Sequence, residues 1–187
     1  MTSSLHALAQ GALGELGDVF GRMSEGAADD LLEALTTARV TALHGLGREG
    51  LQMRGFAMRL FHMGRNVHVV GDMTVPPLGP GDLLFVSIGP GKLRTIETLM
   101  EIARDAGARV ALITAQPDGP AAKHADIVVH LPAQTMADDQ AGRSSVLPMG
   151  SLFETAQMLF FEFAILKLRD CVGETAETMR ARHTNLE

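Results

Sequence analysis

The chain has 187 residues, a formal charge of −6 and 46% hydrophobic composition, enough for one globular domain with a sizeable core. The acidic balance, without a basic run, argues against nucleic acid and anionic membranes as partners, and a chain with neither Trp nor Tyr lacks the usual platform for stacking on bases. A single cysteine, Cys171, excludes an intramolecular disulfide and a cysteine-based metal cluster and fits a reducing cytoplasm.

The N-terminus shows no cationic segment followed by an apolar core, so no signal peptide is expected. Leu5, Leu8, Leu13, Leu16 and Phe20 recur at roughly helical spacing, and Leu31, Leu32 and Leu35 predict a second helix. Gly11, Gly14 and Gly17 weaken the first helix, which must gain its stability from packing. From residue 39 strands and helices alternate. Strands are predicted at Val40–His44, Val67–Val70, Leu83–Ser87, Arg109–Thr114 and Ile127–Leu131, each short, aliphatic and bounded by Gly, Pro or Asp. Helices are predicted at Leu51–Met63, Leu93–Ala106 and Ala121–His124, while Pro76, Pro77 and Pro80 confine the stretch before Leu83 to a loop. Near-continuous apolar strands separated by helices indicate a parallel sheet covered on both faces.

A long helix, Ser151–Arg169, and a shorter one, Glu174–Arg182, end the chain. The long helix is apolar nearly all round, so part of it is expected to meet another subunit. Glu154, Gln157, Glu162 and Lys167 interrupt it too closely for a membrane span. One domain, 1–187, is expected: N-terminal helices over 1–38, a parallel α/β core over 39–132 and C-terminal helices over 150–187.

Two glycine turns follow strands. Gly45-Leu46-Gly47-Arg48-Glu49-Gly50 closes the first, and Ser87-Ile88-Gly89-Pro90-Gly91-Lys92 the third. In a five-stranded flavodoxin-like order both turns border the switch-point crevice, where backbone N–H groups and a helix dipole suit an anion. The charges are unusual. Glu49 stands where an anionic ligand would sit, and Lys92 faces the positive end of its helix. A Glu49–Lys92 pair across the crevice is therefore expected. The first turn also spells G-x-G-x-x-G, and Asp72 ends the second strand where a ribose-binding acid would stand, so a dinucleotide-binding protein stays open. Glu49 beside the third glycine and the lack of a second domain weigh against it.

Several segments resemble one family. Gly55-Phe56-Ala57-Met58-Arg59-Leu60-Phe61-His62-Met63-Gly64, Val69-Val70-Gly71-Asp72, Gly81-Asp82-Leu83-Leu84, Gly150-Ser151-Leu152-Phe153-Glu154 and the ending Arg182-His183-Thr184-Asn185-Leu186-Glu187 are similar to segments of the 6-phospho-3-hexuloisomerases. These are sugar-isomerase (SIS) domain enzymes. The resemblance implies a three-layer α/β/α sandwich with extra terminal helices and assembly as a homotetramer or dimer. It also implies metal-independent interconversion of a 3-hexulose 6-phosphate with fructose 6-phosphate, with no cofactor. The departures fall in the two turns. Family members usually read Gly-x-Gly-Arg-Ser-Gly at the first, where the serine position is Glu49. They read Ser-Gly-Ser-Gly-Glu-Thr at the second, where this chain has Ile88-Gly89-Pro90-Gly91-Lys92-Leu93. Ser87 is one residue early for the first of those serines and points the other way on an alternating strand.

Moving a carbonyl along a sugar passes through an enediol and needs a proton-carrying base and donors for the developing oxyanion. Glu154 and His183 match the family's carboxylate and imidazole, the latter expected from a neighbouring subunit. Ser151-Leu152-Phe153-Glu154 also spells a capping box, which would occupy Glu154 structurally. Gly45, Gly47, Arg48, Glu49, Ser87, Gly89, Gly91 and Lys92 are the candidate substrate contacts of the two turns. Arg59 and His62, three apart on one helix face, are further candidates, with a structural tie and an interior histidine as their plainer readings. His44 ends the first strand beside the turn and is a further possible contact. The remaining histidines lack metal-ligand spacing, and no metal is expected. Three functions follow: a sugar or sugar-phosphate isomerase, a SIS-like regulatory or binding protein without turnover, and a dinucleotide-binding protein.

Overall fold

The computed structural model describes residues 4–139 and 145–186; Glu187, last residue of the family-like ending, lies outside them. Two helices, α1 (Leu5–Gly21) and α2 (Asp29–Thr37), lead into β1 (Thr41–His44), α3 (Gly47–His62), β2 (Val67–Val69), β3 (Leu83–Ser87), α4 (Arg94–Asp105), β4 (Arg109–Thr114), a short 3-10 turn (Pro120–His124) and β5 (Ile127–His130). Two helices, α5 (Ser151–Val172) and α6 (Ala176–Ala181), follow. All strand pairs are parallel, in the order β2-β1-β3-β4-β5. This is the flavodoxin-like order, with the switch point between β1 and β3.

Side-chain alternation divides the core. Leu43, Leu83, Phe85, Ala111 and Ile113 face α1, α2, α3 and α5, while Ala42, Leu84, Val86, Val110 and Leu112 face α4. The three-layer sandwich follows from that split. Cover on both faces holds for β3 and β4; edge strand β5 alternates, with Val128 and His130 exposed. Phe161 of α5 lies flat on Phe56 of α3, centroids 4.3 Å apart, and edge-on to Phe85 at 5.9 Å. This aromatic stack fixes α5 over α3, and the two helices run in the same direction, since Arg48 meets Ser151 and Arg59 meets Glu162.

Element boundaries differ where polarity hides the pattern. Helix α3 starts at Gly47 rather than Leu51. Its first turn, Gly-Arg-Glu-Gly, contains no apolar residue for periodicity to detect. Helix α5 runs on to Val172 and stops at Gly173, left-handed at φ +71°, a C-terminal glycine stop. Helix α6 is only Ala176–Ala181, opened by reciprocal Thr175–Thr178 hydrogen bonds. Among the described residues no helix is long and apolar enough to cross a membrane.

Candidate active site

The first turn is set by a close approach. A Cβ on Gly50 would fall 2.4 Å from the Gly45 carbonyl oxygen, so α3 can leave β1 this tightly only with glycine there. Leu46, extended, precedes the helix without a side-chain cap. The opening N–H groups of α3 therefore lack a capping side chain, and Glu49 in the first turn offsets the helix dipole.

Glu49 reaches across to the second turn. Its Oε2 accepts the Gly89 N–H at 2.9 Å and the hydroxyl of fully buried Ser87. Ser87 lies on the α3 face of the sheet, whereas Ile88 is buried against α4, so the neighbouring side chains part as alternation requires. The expected Glu49–Lys92 pair is not formed. Among the described residues no ion pair joins them, and Lys92 is exposed. Gly89 N–H and Ser87 satisfy Glu49 directly, which leaves the carboxylate no need for a distant ammonium. Gly91 is also not a crevice residue: it is left-handed at φ +74°, and a Cβ there would lie 2.5 Å from Gln116 Cβ. Its place is under the loop after β4.

The two turns border a cavity of about 550 Å³ lined by Leu46, Gly47, Arg48, Glu49, Pro90, Thr135, Met136, Met149, Gly150, Phe153 and Glu154. Arg48 organises it. Its Nε stands 2.8 Å from Glu154 Oε2, one Nη donates to Ser151 Oγ at 2.7 Å, and the other donates to the Met149 carbonyl. The capping box is not made. Gly150, left-handed at φ +81°, is the N-cap of α5, and the Ser151 N–H donates to the Pro148 carbonyl at 3.1 Å. The Glu154 carboxylate is consequently turned to Arg48 and the cavity. Met149, beside it, holds φ +57°, an unfavourable backbone for a side chain with a Cβ.

Burial raises the Glu154 carboxyl above its ordinary value; Arg48 opposes that shift and the nearby Glu49 adds to it. Glu49 is likewise raised by burial, against the lowering effect of its Ser87 and Gly89 hydrogen bonds. Burial holds His44, at the end of β1, below the usual imidazole value, and His44 does not line the cavity.

Arg59, His62 and His183 lie elsewhere. They border a second cavity of about 270 Å³ with Arg169, Met179 and Arg180. Arg59 is tied to Glu162 by two hydrogen bonds of 3.0 Å. The His62 and His183 rings stand 5.2 Å apart, and His62 is buried. The tail carrying His183 is anchored: Arg182 donates to the His62 carbonyl at 2.8 Å and to Glu174 at 2.9 and 2.8 Å. The Arg182 and Thr178 hydrogen bonds push the Glu174 carboxyl down to about 2. From Glu154 to Arg169, α5 rises fifteen residues, roughly 22 Å at 1.5 Å each. One protomer thus brings Gly47, Arg48, Glu49 and Glu154 together, with Ser87 and Gly89 behind Glu49, and keeps His183 at the other end. Asp72, the ribose-acid candidate of the dinucleotide reading, sits 3.5 Å from Arg54, with its side chain about half exposed.

Thr135, Met136, Met149, Gly150 and Phe153 complete the wall; none is a site candidate from sequence, although Gly150 and Phe153 fall in a family-like segment. A usable signal existed, because the chain after β5 must leave from the C-terminal edge of the sheet, where the crevice lies. A larger cavity of about 760 Å³ beyond β4 and β5 contains none of the expected site residues. Among the described residues no group of three or more His, Cys, Asp or Glu side chains could hold a metal ion.

Comparison with known proteins agrees with this architecture. Residues 35–159 match the SIS domain model. The 3-hexulose-6-phosphate isomerase of Bacillus subtilis (strain 168) is 35% identical over 175 residues, covering 94% of this chain and 95% of that protein. The 3-hexulose-6-phosphate isomerase of Mycobacterium gastri is 43% identical over 143 residues, covering 76% and 71%. Among solved structures, a hypothetical protein from Methanococcus jannaschii, inferred to be a 3-hexulose-6-phosphate isomerase, superposes with a TM-score of 0.81 at 26% identity, covering 98% of both chains.

Proposed function

The chain belongs to the SIS domain family, and on that footing we propose that it is a sugar isomerase of the 3-hexulose-6-phosphate isomerase kind. The observation that supports this most is the Glu154–Arg48 pair, a base with a raised pKa held 2.8 Å from a guanidinium in a cavity of ketose size. Ionised Glu154 removes a proton from the carbon beside the carbonyl. The electron pair moves onto the carbonyl oxygen, giving the enediolate, and Arg48 with the opening N–H groups of α3 stabilises that oxygen. Return of the proton to the neighbouring carbon completes the shift. Burial strengthens Glu154 as a base by bringing its pKa nearer to neutrality.

His183 of the partner subunit moves the proton between the two oxygens. Self-association is supported by apolar side chains left in water: Leu51, Met58 and Phe61 on α3 and Phe163 and Leu166 on α5 are each 46–64% exposed. Burying them in a dimer or tetramer is the mode we favour, and it would let an anchored tail reach a neighbour's crevice. A cytoplasmic enzyme fits the unpaired, exposed Cys171.

The test is direct. Incubated in D2O with a panel of phosphorylated and unphosphorylated ketoses, the protein should place solvent deuterium on the carbon beside the carbonyl, followed by NMR. Sugar binding without any exchange would make it a binding protein of the same fold.

A further inference from the structure

We propose that Glu49 is a resident anion filling the donors of the second turn, so that this crevice selects a ketose ending in a free hydroxyl rather than a phosphate. The inference rests on the isomerase reading for the reaction, and on the hydrogen bonds of the second turn for the end group. The Ser87 hydroxyl and the Gly89 N–H both serve Glu49. Pro90, the one residue of this turn that lines the cavity, has no N–H to give. The Gly91 N–H is turned back to the Ile88 carbonyl at 3.0 Å. The Leu93 N–H is taken by Glu97, one turn into α4, at 2.6 Å. Two protein carboxylates thus stand where an incoming anion would find its donors.

The charges lead to the same result. Glu49 and Glu154 contribute two carboxylates to the cavity, and among the described residues Arg48 is the only cation in its lining. That guanidinium is engaged by Glu154, Ser151 and the Met149 carbonyl. A phosphate dianion would meet these two carboxylates and, among the described residues, one guanidinium that is already engaged, and like charges repel. A hydroxyl meets no such opposition. It donates to the free lone pairs of Glu49 and accepts from the opening N–H groups of α3, and both partners are already in place. The space is also shaped around the carboxylate, since a Cβ on Gly89 would fall 2.9 Å from Glu49 Oε1 and 3.0 Å from the Phe153 ring. Glu49 is thus a specificity-determining residue, selecting by an unfavourable charge as well as by a favourable contact.

The experiment compares the intact protein with Glu49→Ser and Glu49→Gln. The probes are D-fructose, fructose 6-phosphate and inorganic phosphate, read by the Gly89 amide resonance and by deuterium entry into each sugar. The wild type should bind fructose, exchange its proton and leave the Gly89 amide unmoved by millimolar phosphate. Glu49→Ser should bind fructose 6-phosphate roughly tenfold more tightly than wild type and show a phosphate-dependent Gly89 shift; Glu49→Gln, which keeps the side-chain shape, should move the same way. Wild-type protein that binds and exchanges fructose 6-phosphate better than fructose, with Gly89 responding to phosphate, would overturn the inference while leaving the isomerase reading intact. Fructose binding with no exchange of either sugar would remove the isomerase reading and keep the end-group selection. Absence of binding by all three proteins would overturn the inference as well.

Discussion

The two ends of α3 differ in almost every respect. At its start, beside the β1 and β3 ends, two carboxylates with raised pKa values line a mainly apolar cavity, Glu154 paired with Arg48 and Glu49 held by Ser87 and the Gly89 N–H. At its finish, Arg59, Arg169 and Arg180 gather with His62 and His183 around a smaller hollow on the tail. Among the described residues the first region has a base and no free cation in its lining, and the second has imidazoles and cations. Because α3 and α5 run side by side in one direction, the helices that hold each group in place also hold the two groups apart. The proposed proton transfer, which uses both Glu154 and His183, would then require assembly, with one subunit's start meeting another's finish.

The largest effect should come from the first region. Glu154→Gln keeps the size and loses the base, and should lower kcat by about 10²–10⁴-fold, measured as the rate of deuterium entry. A fall of only a few-fold would move the proton transfer away from this cavity. The second region should respond through position. Glu174→Gln loosens the Arg182 clamp that anchors the tail on the His62 carbonyl. It should lower kcat about ten- to a hundredfold, the scale of a small misplacement, with the acid limb of the pH profile unchanged. A shift of that limb would mean that the tail acts on Glu154 itself.

Between the two regions lies Gln157, fully buried on α5, with neither amide atom finding a hydrogen-bond partner among the described residues. Replacing such a group with an apolar one of similar size removes a desolvation penalty. Gln157→Leu should therefore stabilise the fold by ~1–3 kcal/mol in urea unfolding; a destabilised variant would mean that the amide has a partner in the assembled protein.

The smallest effect is the pH dependence. Because burial raises the Glu49 carboxyl, the folded chain holds that proton more tightly than the unfolded chain. Its stabilising contribution is present below the unfolded value near 4.5 and is lost as pH rises through the higher folded value. Glu49→Gln abolishes this slope, so the variant should gain on the wild type as pH rises through that window. Parallel unfolding curves at every pH would contradict a raised Glu49. The same direction for Glu154 places the acid limb of the rate above 4.5.

Much of the fold could be read from the chain because its apolar periodicity is strong. All five strands lie within one residue of their predicted ends, and their parallel pairing follows from alternation of strand and helix. The first turn of α3 escaped because Gly-Arg-Glu-Gly carries no apolar signal, and the extra turn of α5 because its glycine stop lies beyond Arg169. At the site, the charge pattern marks Glu49 as unusual but points to the wrong partner. Charge alone suggested Lys92, whereas only the placement of Ser87 and the Gly89 N–H shows that the carboxylate is satisfied by neutral donors. The capping-box pattern at Ser151 failed for a related reason, since Gly150 in a left-handed conformation takes over the cap and frees Glu154 for Arg48. The distance between Glu154 and His183 is not legible in any local pattern, because it depends on the parallel packing of α3 and α5.

A subunit-mixing experiment tests the proposal of a site shared between subunits most directly. Glu154→Gln and His183→Asn proteins, each purified alone, should be nearly inactive in deuterium exchange. Unfolded together and refolded as mixed oligomers, they should regain activity, because some crevices then combine an intact Glu154 from one subunit with an intact His183 from another. Mixed oligomers as inactive as either parent would contradict a site shared between subunits.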